Sequence, residues 1–183
     1  MPDGEKDGGL ERVIFHVDLD AFFVEVERQN DATLVGKPVV IGGLGPRGVV
    51  ATASYEAREF GVHSAQATAV ARRLCPQAIF MRGSHDLYRE VSKKFMEVLR
   101  SYSPVVVPVS VDEAYLDMTG TERLYGMPME AARTIKRMVR DELGLPASIG
   151  IGPSKLVAKV STEHAKPDGI FQVQPDEVEA FFA

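Results

Sequence analysis

Residues 110–117 read Ser110-Val-Asp-Glu-Ala-Tyr-Leu-Asp117, with two adjacent carboxylates, Asp112 and Glu113, set between β-forming runs. Pro104-Val-Val-Val-Pro108-Val109 precedes them and Ala114-Tyr-Leu-Asp-Met118 follows. Short runs of branched and aromatic residues around a polar break spell a β-hairpin with the acids near its tip. Neighbouring side chains on a strand face opposite ways. Asp112 and Glu113 therefore address one point only if the strand bends or ends there.

A second acidic pair closes an earlier apolar run, Val13-Ile-Phe-His-Val-Asp18-Leu-Asp20. Acids at the ends of two strands can converge. Three such carboxylates can hold two divalent cations about 3.5–4 Å apart, the arrangement used for in-line phosphoryl or nucleotidyl transfer. Asp20 is expected to stabilise the start of a helix at Ala21. An isolated acidic pair more often marks a solvated turn, but here apolar residues flank both sites.

The rest of the chain alternates. Pro38–Gly42 and Val49–Ala53 form a second hairpin around the Gly-rich loop 42–48. Ser54 caps a helix from Tyr55 to Phe60 that Gly61 closes. A helix over 66–74 stops at Pro76, and Ala78–Met81 is a strand. Ser84 opens a long helix with Tyr88, Val91, Phe95, Val98 and Leu99 on one apolar face. A helix from Met129 to Leu143 ends at Gly144, and Ala147–Ile151 is a strand. Pro153 fits the first turn of a helix reaching Ala165. Lys166-Pro-Asp-Gly169 suits a type I turn, Ile170–Val173 a last strand, and Pro175 a helix start. The order implies an α+β fold with a largely antiparallel sheet backed by helices.

Length and composition set outer bounds. The chain has 183 residues, 45% of them hydrophobic, enough for one large domain or two small ones. Its single cysteine, Cys75, excludes an intrachain disulfide and fits a reducing compartment. No apolar run approaches the ~18 residues of a membrane span, and no signal peptide opens the chain. Residues 1–9 are polar and Gly-rich and are expected to be flexible. The net charge of −5 is unusual for a domain that grips nucleic acid by itself. The four histidines, at 16, 63, 85 and 164, have no zinc spacing with Cys75. His16 is read as a satisfied core group, and Lys155 and Lys159 as a solvated helix face.

Five segments together resemble the N-terminal part of a Y-family, DinB-type translesion DNA polymerase. They are Asp18-Leu-Asp-Ala-Phe-Phe23, Ala51–Gly61, Ser110–Asp117, Gly150-Ile-Gly-Pro-Ser-Lys155 and Ala165–Gly169. The resemblance implies a palm from 10–21 and 84–173 and a small inserted α/β fingers subdomain at 22–83. It implies a thumb that begins at 174–183 and is cut short, with DNA-gripping parts and a sliding-clamp contact lying downstream. The acidic balance then has a reason. It further implies template-directed addition of dNTPs to a primer by a soluble monomer in the cytoplasm, associated with the bacterial nucleoid, and weak activity for this stretch alone.

By the same resemblance Asp18, Asp112, Glu113 and the Leu19 carbonyl hold two Mg²⁺ ions, which Mn²⁺ can replace. Phe22 and Phe23 face the incoming sugar, with Phe23 filling the space of a ribose 2′-hydroxyl. Thr52, Tyr55, Arg58 and Lys166 hold the triphosphate; core packing for Phe22 and surface pairing of Arg58 with Glu56 or Glu59 are the plain alternatives. Val39, Ala51, Ser64 and Ala65 leave room over the nascent base pair. The stretch Gln66-Ala-Thr68 departs from the Met-Pro-like turn usual in the family.

Three rivals compete. A haloacid-dehalogenase-type phosphatase shares the Asp-x-Asp after a strand, but Ala21-Phe22-Phe23 fills the space such enzymes keep small. Against a nucleotide cyclase on a palm-like fold stand the Tyr55/Arg58 and Lys166–Gly169 segments. A non-catalytic polymerase-like accessory protein in damage tolerance has no need of all three acids.

Overall fold

The computed structural model describes residues 11–183, so the flexibility expected of residues 1–9 lies outside the described residues. From the N-terminal side come β1 (Ile14–Leu19), α1 (Phe22–Asn30), β2 (Val39–Gly42), β3 (Val50–Ala53), α2 (Tyr55–Arg58), α3 (Thr68–Leu74), β4 (Ile79–Met81) and α4 (His85–Arg100). Then follow β5 (Val106–Pro108), β6 (Glu113–Asp117), α5 (Glu122–Tyr125), α6 (Pro128–Leu143), β7 (Ala147–Gly152), α7 (Lys155–Ala165), β8 (Ile170–Gln172) and α8 (Val178–Phe182).

The strands form a five-stranded sheet, β5-β6-β1-β7-β8, and a three-stranded sheet, β3-β2-β4. The larger is antiparallel except that β8 runs parallel to β7. In the smaller, β2 and β3 make the expected hairpin and β4 pairs parallel with β2. The fold is thus α+β with a largely antiparallel main sheet.

Alternation along β1 divides the molecule. Phe15, Val17 and Leu19 face a core built with Ala114, Leu116, Ile149 and Ile151 of neighbouring strands and Phe95, Leu99, Ile135 and Val139 of α4 and α6. Each of the larger side chains contributes roughly 1.5–3 kcal/mol by leaving water. His16 and Asp18 face the other way, toward α7, which carries Thr162 to His16. Gly150 lets α7 lie flat on β7: a Cβ there would overlap the Ala158 carbonyl oxygen and the Thr162 amide nitrogen.

Helix α1 serves two cores. Phe22 and Val26 belong to the main one, whereas Val24 packs with Ala21, Leu34, Val39 and Ile41 of the smaller sheet's side. Ala21 enters it in the left-handed region (φ 44°) without a side-chain cap.

Some local expectations change. Pro153 lies outside α7, because the chain leaves β7 extended and Ser154 caps the helix, its Oγ accepting from the Val157 N–H at 3.3 Å. The 166–169 turn is not type I. Asp168 has φ +49°, where a type I turn needs a negative angle. Its backbone N–H donates to Asp20, and its carboxylate pairs with Lys136 and Arg140 of α6. Val39 does not floor an open surface; it is fully buried beneath the small sheet.

Candidate active site

The main sheet brings the two acidic strand ends together. Asp18 stands opposite Glu113 on β6 and opposite Ser148 on β7. The Leu19 N–H donates to the Asp112 carbonyl at 2.9 Å, which ties the hairpin tip to the end of β1. β6 begins only at Glu113, and the Val109 and Ser110 amides both reach back to its carbonyl. The strand therefore ends between the two acids, as a shared destination requires. Their side chains still part company. Asp112 lines a cavity with Asp18, whereas Glu113 turns to His16 and Lys159.

That cavity, of about 200 Å³, opens between the two sheets. Asp18, Leu19 and Asp112 line it together with Thr52, Tyr55, Arg58, Ser64 and Lys166, and with Phe22, Phe23 and Ala51. Phe22 is almost wholly in the core; Phe23 is half-buried and stacks on Tyr88. Ala65 is exposed and does not line it.

Helix α7 supplies cations to the acids. Lys159 Nζ lies 2.8 Å from Glu113 Oε2, and Lys166, which caps the helix, lies 3.0 Å from Asp18 Oδ2 and 3.1 Å from Glu163. Lys159 is exposed on α7, as a solvated helix face implies, and it is also an ion-pair partner of Glu113. The signal was its seven-residue spacing from Lys166, two turns along one helix face.

Burial pushes Asp18 up to about 6, and neighbouring Asp112 and Asp20 add to this against the pull of Lys166. Burial also raises Glu113, but the hydrogen bond and charge of Lys159 outweigh it and hold the carboxyl below its ordinary range. His16, buried and near Lys159, falls to about 4. It is neutral at pH 7: Nε2–H donates to Glu113 at 3.0 Å, and Nδ1 accepts from Thr162 Oγ1 at 2.8 Å. It is a satisfied core group, as read from sequence, and it also orients Glu113.

Asp20 has a larger part than a helix start. It is buried, accepts from Ser148 Oγ (2.9 Å), the Asp168 N–H (2.8 Å) and Tyr55 OH (3.2 Å), and so joins β1, β7, α2 and the 166–169 loop. Tyr55 is pushed up to about 12 by burial and the Asp20 charge. Arg58 does not pair with Glu56, which binds Arg28 instead. Its Nε donates to the Ala53 carbonyl (2.9 Å) and its guanidinium lies over the Tyr55 ring at 4.6 Å. The terminal nitrogens are then free of protein hydrogen bonds among the described residues.

As arranged, no three carboxylate, histidine or cysteine side chains among the described residues close into a metal cage. The donor set nevertheless suits a hard cation. Hard divalent ions take carboxylate and carbonyl oxygens, and Asp18, Asp112, Glu113 and the Leu19 carbonyl are such donors at adjoining strand ends. Lysine ammonium groups already occupy cation positions on two of them.

The impB/mucB/samB family profile matches residues 17–163. The chain is 53% identical over 173 residues to a DNA polymerase IV of Dehalococcoides mccartyi and 47% identical over 167 residues to that of Treponema denticola. These alignments cover 94% and 91% of the chain but 44% and 42% of the relatives, so the chain spans about half or less of their length. Among solved structures, DinB from Sulfolobus solfataricus superposes with a TM-score of 0.84 at 32% identity, over 92% of this chain and 50% of that one. An insertion ternary complex of Dbh DNA polymerase matches equally well, at 0.84 and 32%, over 92% and 51%. No described helix is long and apolar enough to cross a membrane.

Proposed function

The chain belongs to the impB/mucB/samB family, and from that premise we propose that it is the nucleotide-binding and catalytic part of a template-directed DNA polymerase of the low-fidelity translesion type. The main sheet with its helices (10–21 and 84–173) is its palm, 22–83 its fingers and 174–183 the opening of a thumb. The observation that carries this reading is one cavity lined by acids, by hydroxyl and cationic groups, and by aromatic rings. A metal-bound nucleoside triphosphate needs all three kinds of group.

Asp18, Asp112, Glu113 and the Leu19 carbonyl would hold two Mg²⁺ ions, with Mn²⁺ able to substitute. Such ions acidify a primer 3′-hydroxyl and neutralise triphosphate charge. The protein's own groups do the rest. His16 and Lys159 orient Glu113. Lys166 leaves Asp18 for a phosphate oxygen. Thr52, the Tyr55 hydroxyl and the Arg58 fork take the β- and γ-phosphates, and guanidinium planes suit phosphate oxygens. Phe23 meets the sugar, and Ala51 and Ser64 leave open space on the fingers side. Primer–template DNA, a sliding clamp and a cytoplasmic, nucleoid-associated setting belong to the same proposal.

The test is calorimetric titration of a dNTP into this chain with Mn²⁺ present. Saturable binding that vanishes with a chelator is expected. Metal-indifferent binding, or none by the folded chain, would overturn the reading. Arg58→Ala is expected to weaken binding roughly tenfold, the worth of a charged hydrogen bond. Its melting temperature should fall by only a few degrees, because Arg58 is exposed and gives up one hydrogen bond to the Ala53 carbonyl.

A further inference from the structure

Phe23 does not stand alone. Its ring stacks on that of Tyr88 with centroids 4.1 Å apart and planes 12° from parallel. Tyr88 is fully buried at the start of α4, and its hydroxyl donates to Glu27 Oε1 at 2.6 Å. The same oxygen accepts the backbone N–H of Ser84, the α4 N-cap, at 3.2 Å. Glu27 is 6% exposed, a carboxylate nearly removed from water with hydroxyl and amide donors as its partners. Gly83 closes on the tyrosine ring, since a Cβ there would stand 2.7 Å from Tyr88 Cε2.

The helical repeat makes this a closed device. Phe23 and Glu27 are four apart on α1, so one helix face carries both the ring and the anchor for the ring stacked on it. A buried carboxylate is costly unless it is hydrogen-bonded, so core filling alone does not explain Glu27. Phe23 meanwhile lines both the acidic cavity and a second one shared with Ile41, Gly42 and Tyr88. Phe23 also touches Phe22, His85 and both cores, but the Tyr88 ring is the one that stacks face to face on it and so bears most directly on its plane.

We propose that Glu27 and Tyr88 are positioning residues that hold the Phe23 ring in the plane from which it excludes a ribose 2′-hydroxyl. The proposal rests on the reading of Phe23 as the residue that meets the sugar. Exclusion by a clash works only if the clashing group cannot turn aside. A ring that could rotate into the second cavity would admit the hydroxyl. The Glu27 bond, reached through Tyr88, removes that freedom.

The experiment compares affinities for dATP and ATP, with Mn²⁺, in the wild-type chain and in Tyr88→Phe, Glu27→Gln and Phe23→Ala. It also follows the Phe23 ring-flip rate by NMR on chain with ring-labelled phenylalanine, Phe23→Ala assigning the signal. Tyr88→Phe keeps the stack and loses the hydroxyl. It should cut the dATP-to-ATP preference roughly two- to tenfold, the range of one lost hydrogen bond. The loss should come through tighter ATP binding, and ring flipping should quicken. Glu27→Gln keeps a neutral acceptor and should fall between Tyr88→Phe and wild type. If Phe23→Ala leaves the preference intact, the sugar-facing reading of Phe23 fails. Should Phe23→Ala abolish the preference while both tether variants keep it, the tether fails and the gate stands. Unchanged ring flipping in Tyr88→Phe overturns the tether whether or not nucleotide binds, and so does a fall in melting temperature with neither readout altered.

Discussion

Asp18→Asn is expected to give a chain that melts higher at pH 7 in chelator and has lost the metal–nucleotide complex. The two halves of this result have one cause. Asp18 sits at the end of a buried strand, desolvated and near Asp112 and Asp20, so its charged form is disfavoured and its pKa is raised to about 6. The folded value lies above the ordinary 3.8 of the unfolded chain. The unfolded state therefore releases its proton first as pH rises, and folding loses stability between about 4 and 6. Above 6 the penalty is complete, about 1–3 kcal/mol for a shift of this size. Asparagine has no charge to desolvate. Lys166, deprived of Asp18, keeps its bond to Glu163.

The stability gap between Asp18→Asn and wild type should thus be widest above pH 6 and close below about pH 4. Thermal melts across that range in chelator check it. A variant less stable than wild type at pH 7 would mean that Lys166 more than repays the burial of Asp18. Binding should move the other way. Even partners that only orient metal ligands are worth 10–100-fold in affinity, so loss of a ligand carboxylate should weaken metal-dependent dNTP binding by on the order of 100-fold or more. Stability and function are then opposed at one residue, as expected where charge is concentrated to attract a cation.

Much of this arrangement is legible in the chain because it rests on local pattern. The hairpin with acids at its tip needs only branched residues around a polar break, and β5 and β6 form it. The apolar spacing of 88–99 becomes the buried face of α4, and the cap at Ser54 forms as its residue type implies. What stays hidden depends on partners distant in sequence. Asp20 looks like a helix-start acid, yet its partners are Ser148, Asp168 and Tyr55, up to 148 residues away. Nothing in the chain around Lys159 announces Glu113, 46 residues away, and nothing around Tyr88 announces Glu27, 61 residues away. Asp168 is held at a left-handed angle by three partners outside the turn: its N–H binds Asp20 and its side chain Lys136 and Arg140. Neither propensity nor periodicity encodes such obligations.

Gly150→Val tests how far the site depends on the fit of α7 to the sheet. Gly150 lies in the fully buried strand β7, on the face that α7 covers. Its missing side chain is what allows contact with the helix backbone, since a Cβ would overlap the Ala158 carbonyl and the Thr162 amide. Backbone atoms within a helix cannot rotate away as a side-chain tip can. The helix must lift, or the strand must bend. Overpacking usually costs about 1–3 kcal/mol, and a rigid obstacle puts this case at about 3 kcal/mol or above. For a chain of this length that lowers the melting temperature by about 6–12 °C. A lifted α7 also withdraws Thr162 from His16, Lys159 from Glu113 and Lys166 from Asp18, so nucleotide binding should fall even where the variant is still folded. Gly45→Ala is the control, because a Cβ there meets nothing within 4 Å and should cost no more than about 0.5 kcal/mol. A Gly150→Val chain that melts with wild type would show that α7 is not seated by this glycine. The placement of both lysines would then need another cause.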